Sequence, residues 1–185
     1  MATKVEPGED GAPAWTNYNN RHDDLREFIW RADAIGEVKR VDGAEWNLEM
    51  GAISEMFGAE RPENPPLLVF DKIPGYPKGH RVVWGTTNSR KRFALTYGFP
   101  EPRNTTDCVQ AYRDRMKGDF ELIPERKVGR GPVLENVMRD GEVDLFRFPI
   151  PFIHEKDGGR YLGTQDLVVM RDPDTGWVNV GAYRV

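Results

Sequence analysis

The 185-residue chain is 38% hydrophobic and 30% charged, which is apolar enough for the core of one ordinary domain or two small ones. A net charge of −4 argues against general nucleic-acid binding, which depends on neutralising phosphates, and no apolar run is long enough to span a membrane. The single cysteine, Cys108, excludes an internal disulfide and makes a cytoplasmic setting the default expectation.

Residues 1–20 lack the apolar stretch of a secretory signal and read as a disordered leader. Leu25, Phe28, Ile29 and Ala32 then recur at helical spacing behind Asp23 and Asp24, which suit a helix start. Residues 37–41 alternate and predict a short strand. A second helix is expected from Ala44 to Phe57, with Gly58 as its stop. Pro65 and Pro66 introduce the apolar run 67–71, a buried strand, and the turn Pro74-Gly75-Tyr76-Pro77 leads to a strand at 81–84. Asn88 and Ser89 can cap a helix reaching Tyr97, and a last helix should run from Thr105 or Thr106 to about Lys117. This alternation describes a small α/β domain over residues 21–120.

Residues 121–185 change character. Strands are expected at 132–137, at 161–170 and from Trp177 to about Gly181. Asp172-Pro173-Asp174-Thr175-Gly176 between the last two reads as a hairpin turn, since Pro fixes φ and Gly permits φ > 0. Strands joined this way point to a barrel or sandwich, and so few of them leave it incomplete. The fold class is therefore α+β.

Most single residues favour plain readings. His22, His80 and His154 are too dispersed for a metal pair, and His154 falls in a loop with a structural or merely exposed role. Cys108 inside a helix reads as a small buried side chain. Gly129-Arg130-Gly131 and Gly158-Gly159 read as turns, and Arg90-Lys91-Arg92 as a solvated helix face. The last strand is richer. Trp177, Asn179, Gly181 and Tyr183 share one face of a regular strand, and Arg184 points to the other. The amide oxygen of Asn179 is a hard donor suited to Mg2+, Mn2+ or K+, and Arg184 could hold a carboxylate bidentately. Taken alone, a sheet amide and a surface arginine remain the preferred reading.

Asp157-Gly158-Gly159-Arg160-Tyr161-Leu162-Gly163-Thr164, followed by Arg171-Asp172-Pro173-Asp174-Thr175-Gly176-Trp177-Val178-Asn179-Val180-Gly181-Ala182-Tyr183-Arg184, closely resembles the signature of the UbiD family of prenylated-FMN-dependent (de)carboxylases. Pro132 to Val137 with Asp144 to Pro149 resembles the family's entry into its flavin-binding domain. Asn47-Leu48-Glu49, Leu67-Leu68-Val69-Phe70 and Pro74-Gly75-Tyr76 resemble its N-terminal domain.

The resemblance implies that residues 121–185 begin a split β-barrel of the flavin-reductase-like kind. It implies a reversible non-oxidative decarboxylation of aromatic or α,β-unsaturated acids, with prenylated FMN as electron sink. Asn179 matches the ligand of a divalent metal, usually Mn2+, bridging to the cofactor phosphate. Ala182, Tyr183 and Arg184 match the segment that contacts the flavin. Arg184 matches the catalytic arginine that orients the substrate carboxylate, and Thr164 lines the substrate side. Trp177 matches a position whose carbonyl can coordinate K+. Because Asn179 and Arg184 are an odd number apart, the last strand should end or bulge before Arg184. The remaining metal ligands and catalytic glutamates of the family lie downstream of this motif. The 185 residues are thus expected to be a fragment, inactive by itself, of an enzyme that is a homo-oligomer when intact. Its partners would be a small carboxylic acid and a flavin prenyltransferase that supplies the cofactor. The rival expectation is a non-catalytic flavin-binding or assembly module.

Overall fold

The structure, a computed structural model, describes residues 24–117, 124 and 126–185. The expected leader at 1–20, with His22 and Asp23, lies outside the described residues. By packing, the chain divides into two compact units that do not follow chain order. One takes residues up to Val38 together with Thr86–Arg147, and the other takes Lys39–Gly85 together with Phe148–Val185.

The first unit is helical. Helix α1 spans Leu25–Ala34 and buries Phe28 and Ala32, two of the four positions at helical spacing. Asp24 caps it, its carboxylate accepting from the backbone N–H of Arg26 and Glu27. Helix α3, Arg90–Tyr97, is capped by Ser89 and ends on Gly98 at φ 67°, the left-handed conformation that glycine adopts freely. Helix α4, Thr105–Met116, starts on Asn104, whose side chain accepts from the Asp107 N–H at 2.9 Å. Phe93, Tyr97, Phe99 and Tyr112 form an aromatic cluster joining α3 to α4.

Two expectations in this unit are corrected. Arg92 belongs to no solvated face. Its side chain is 0% exposed, and its Nη1 donates to Glu37 Oε2 at 2.8 Å. Ser89 Oγ donates to the same oxygen at 2.7 Å. Helical spacing turns Arg92 inward although its neighbours Arg90 and Lys91 are charged too. Residues 132–137 form no strand. Pro132–Leu134 is a 3-10 turn, and Val133 stands 87% exposed. Pro132 donates nothing to a ladder and suits the start of a helical turn, and no described strand lies alongside.

In the second unit, strands β1 (Val38–Asp42, its first residue belonging to the other unit), β2 (Leu67–Asp71) and β3 (Val82–Trp84) form a sheet in the order β1-β2-β3. β2 and β3 pair antiparallel, Val69 opposite Val83. Leu67 to Phe70 are all buried, as the unbroken apolar run predicts for a central strand. Ala44, Met50, Leu68, Phe70 and Ile73 form the core, flanked by Trp46, Tyr76 and Trp84.

Helix α2 spans Glu49–Glu60, starting later than expected and running through Gly58. The late start has a long-range cause. Phe152 donates its N–H to the Trp46 carbonyl and accepts from the Leu48 N–H, so residues 46–48 are committed to a bridge with 152, and Leu48 at φ 65° stands outside the helix. Strands β4 (Thr164–Arg171) and β5 (Val178–Arg184) form a separate antiparallel hairpin. Among the described residues of 126–185 these are the two strands present.

Candidate functional site

The turn expected at 172–176 is built by Asp172. Its carboxylate accepts the backbone N–H of Asp174 at 2.9 Å and of Thr175 at 2.7 Å, and Gly176 sits at φ 73°. These hydrogen bonds, that from Thr175 first, hold the Asp172 carboxyl below the usual aspartate range. The Trp177 carbonyl accepts from the Asp172 N–H at 2.8 Å, so one of its lone pairs is engaged in closing the turn, and its side chain is 65% exposed.

From this turn the ladder fixes where each predicted site residue stands. Asn179 lies opposite Met170, Gly181 opposite Val168, Ala182 opposite Leu167 and Tyr183 opposite Asp166. The register then shifts by one, and Arg184 pairs with Thr164. The irregularity expected in the last strand is therefore in its partner, with Gln165 as the extra residue of β4. Strand β5 stays paired through Arg184. Counting along it puts Asn179, Gly181 and Tyr183 on one face and Ala182 and Arg184 on the other. The extra residue in β4 swings Thr164 round to the Arg184 side. Thr164 and Arg184 are thus brought together, while Asn179 is five residues away, about 16 Å on a regular strand. A Cβ at Gly181 would lie 2.4 Å from the exposed Tyr183 ring, which folds back over it and would have to turn aside.

Beyond Thr164 the pairing continues without named strands. Leu162 N–H and Gly163 N–H both donate to the Val185 carbonyl, and Val185 N–H donates to the Gly163 carbonyl. One turn of chain earlier, the Tyr161 ring lies beneath the Arg184 guanidinium, 4.9 Å from carbon to centroid. That guanidinium makes no hydrogen bond or ion pair with any described residue.

Sequence reasoning missed what holds this segment down. Arg160 stacks its guanidinium 3.9 Å from the centre of the Trp46 ring. Its Nε donates to the Ile150 carbonyl at 2.6 Å and its Nη2 to the Tyr76 hydroxyl at 2.7 Å. Gly51 of α2 admits the same segment, since a Cβ there would lie 2.3 Å from the Ile153 carbonyl oxygen. His154 sits in the expected loop, its Nε2 2.7 Å from Glu55 and its backbone N–H on Asp157 at 3.0 Å. The planar guanidinium of Arg160 beside two aromatic side chains from residues 46 and 76 was a signal only once the chain had folded.

Metal fit is partial. Among the described residues no three His, Cys, Asp or Glu side chains converge on a metal-sized site. Asn179, half-buried, can give one oxygen, so a hard cation here needs further ligands. A phosphate or carboxylate would find a hydroxyl and an unengaged guanidinium side by side at Thr164 and Arg184.

This mixed α+β fold is that of the N-terminal part of a carboxy-lyase. Residues 31–112 match the 3-octaprenyl-4-hydroxybenzoate carboxy-lyase N-terminal domain, and residues 126–185 match its Rift-related domain. The chain belongs to the UbiD family, of which it represents the N-terminal portion. It is 38% identical to the pyrrole-2-carboxylic acid decarboxylase of Pseudomonas aeruginosa over 162 residues, covering 83% of this chain and 32% of that protein. It is 34% identical to the phenolic acid decarboxylase of Sedimentibacter hydroxybenzoicus, covering 88% of this chain and 34% of the relative. The vanillic acid decarboxylase of the same organism in its closed form superposes with a TM-score of 0.73 at 31% identity, covering 89% of this chain and 35% of that one. The chain therefore spans about a third of the length of the relatives it matches. Among the described residues no helix is long and apolar enough to cross a membrane.

Proposed function

We propose that this chain supplies the N-terminal part of a decarboxylase for aromatic or α,β-unsaturated carboxylic acids that works with prenylated FMN. The observation that carries the reading is Arg184. Its guanidinium stands exposed at the open end of the hairpin, beside Thr164 and without a carboxylate partner among the described residues. A guanidinium stacked over the Tyr161 ring beside a hydroxyl residue presents its N–H edge for two-pronged binding of a carboxylate.

On this reading the β4–β5 hairpin opens a split β-barrel that binds the flavin. Thr164, Ala182 and Arg184, on one face of the hairpin, would contact the flavin, and Asn179 and Tyr183, on the other, could serve the same site only where the ribbon twists or further chain continues it. Asn179 would then give one oxygen to Mn2+ or Mg2+. When bound, the flavin supplies an electron sink for the carbon that loses CO2, in either direction of the reaction. The protein's own residues do the rest. Arg184 binds and orients the carboxylate, Thr164 limits the substrate side, and the apolar hairpin surface keeps water from the reacting group. Trp177, its carbonyl partly engaged in the turn, remains a candidate K+ ligand through its second lone pair.

Names among the relatives support an aromatic acid as substrate: pyrrole-2-carboxylic acid for one and a phenolic acid for another. The vanillic acid decarboxylase was solved as an assembly of two kinds of subunit, which supports oligomerisation here too. A flavin prenyltransferase would supply the cofactor. The full-length protein, co-produced with such a prenyltransferase, should carry a modified flavin and release CO2 from a panel of pyrrole-2-carboxylate, 4-hydroxybenzoate, vanillate and ferulate. Bound flavin with no turnover of any aromatic or unsaturated acid would favour the rival reading, a flavin-binding or assembly module. Absence of flavin would overturn the decarboxylase reading and leave the assembly module.

A further inference from the structure

We propose that Tyr161 is a positioning residue for Arg184, acting as an aromatic platform whose place is set by Arg160. The proposal rests on the reading of Arg184 as the carboxylate-binding group and deepens it. An arginine at a strand end has several rotatable bonds and loses much freedom on binding a ligand. Here one face of its guanidinium is already covered, 4.9 Å from the Tyr161 ring centre. That arrangement leaves the N–H edge open for a planar carboxylate, because stacking uses the face and hydrogen bonding uses the rim.

The platform is itself held. Tyr161 donates its N–H to the Pro151 carbonyl at 3.2 Å, and Leu162 and Gly163 are zipped to Val185, next to Arg184. On the other side, Arg160 ties the segment to Trp46, Tyr76 and the Ile150 carbonyl. The Tyr161 hydroxyl bonds no described residue, so its ring rather than its oxygen is the working part. The α/β core is thereby linked to the orientation of Arg184 through two adjacent residues, one clamped and one stacking.

The test uses the full-length, flavin-loaded protein and the best-turned-over acid of the panel above. It reads equilibrium binding of that acid to protein loaded with unmodified FMN, checked to release no CO2, through the flavin absorbance, together with flavin content and thermal midpoint. Tyr161→Leu should weaken the acid about three- to thirty-fold, as expected for loss of a cation–π contact, with flavin content unchanged. Tyr161→Phe should bind within about threefold of the wild type. Should the leucine variant fail to fold, Tyr161→Met, bulky but without a π face, decides in its place. Wild-type affinity in the leucine or methionine variant, with Arg184→Met binding poorly, overturns the platform and leaves the reading of Arg184 intact. Wild-type affinity in Arg184→Met overturns that reading and the platform with it.

Discussion

Thr164 and Arg184 are register partners at the open end of the β4–β5 hairpin, although 166 and 183 pair next to them. One extra residue in β4 produces this. Without Gln165 as a bulge, Thr164 would stand on the Tyr183 side of the ribbon. The bulge therefore selects which side chain accompanies Arg184. Deleting Gln165 should remove the bulge and leave Thr164 opposite Arg184 in a regular ladder, with the hairpin kept. A crystal structure of the deletion variant checks this: 166 opposite 183 and 164 opposite 184 are expected, and a ladder slipped by one along its whole length would contradict it.

Gly51 tests how the signature segment is seated. An added Cβ meets the Ile153 carbonyl oxygen at 2.3 Å, and both partners are backbone or bonded to it, so neither can rotate away. Gly51→Ala should destabilise the protein by about 1–3 kcal/mol, read as a lower urea midpoint at unchanged m-value. Gly58, in the same helix but with open space around it, provides the control. Gly58→Ala should be neutral or slightly stabilising.

The buried pair Glu37–Arg92 predicts an asymmetric outcome. Burial pushes the Arg92 guanidinium below its ordinary value, and Glu37 acts against that shift. Removing the partner alone strands a charge inside. Arg92→Met should cost about 3–5 kcal/mol in urea unfolding, whereas Glu37→Leu with Arg92→Met should recover much of the loss.

How much of this was legible beforehand depended on the range of the interaction. The caps Asp24 and Ser89, the central strand 67–71 and the Asp172 turn are local, and each followed from residues within a few positions of one another. Arg92 looked like surface because its neighbours are charged, and only the distant Glu37 explains its burial. The start of α2 was misjudged because residues 46–48 bond to Phe152, roughly a hundred positions on, which overrides their helical pattern. Among site residues, the motif marked Thr164, Asn179, Ala182, Tyr183 and Arg184 by resemblance. It said nothing of Arg160 and Tyr161 as supports, because stacking on Trp46 and under Arg184 exists only in three dimensions.

The hairpin turn carries a pH prediction with a definite sign. The Asp172 carboxyl is held below its ordinary value in the folded protein, so its contribution is present above the unfolded aspartate value, about 3.9, and fades as pH falls through the lower folded value. Amide exchange at Asp174 and Thr175 should therefore show protection that is constant through neutral pH and lost only in strong acid. Asp172→Ala should remove that protection at every pH.

The most direct test of the central claim is CO2 release by the flavin-loaded full-length protein and its Arg184→Lys and Arg184→Ala variants. The account predicts equal flavin content in all three. It predicts kcat/KM lower by about 10²-fold or more in the alanine variant, with only partial recovery by lysine, which keeps the charge but not the two-pronged geometry. Rates within threefold of the wild type in the alanine variant would contradict it, and Arg184 would then be the exposed strand-end arginine that its sequence position alone suggests.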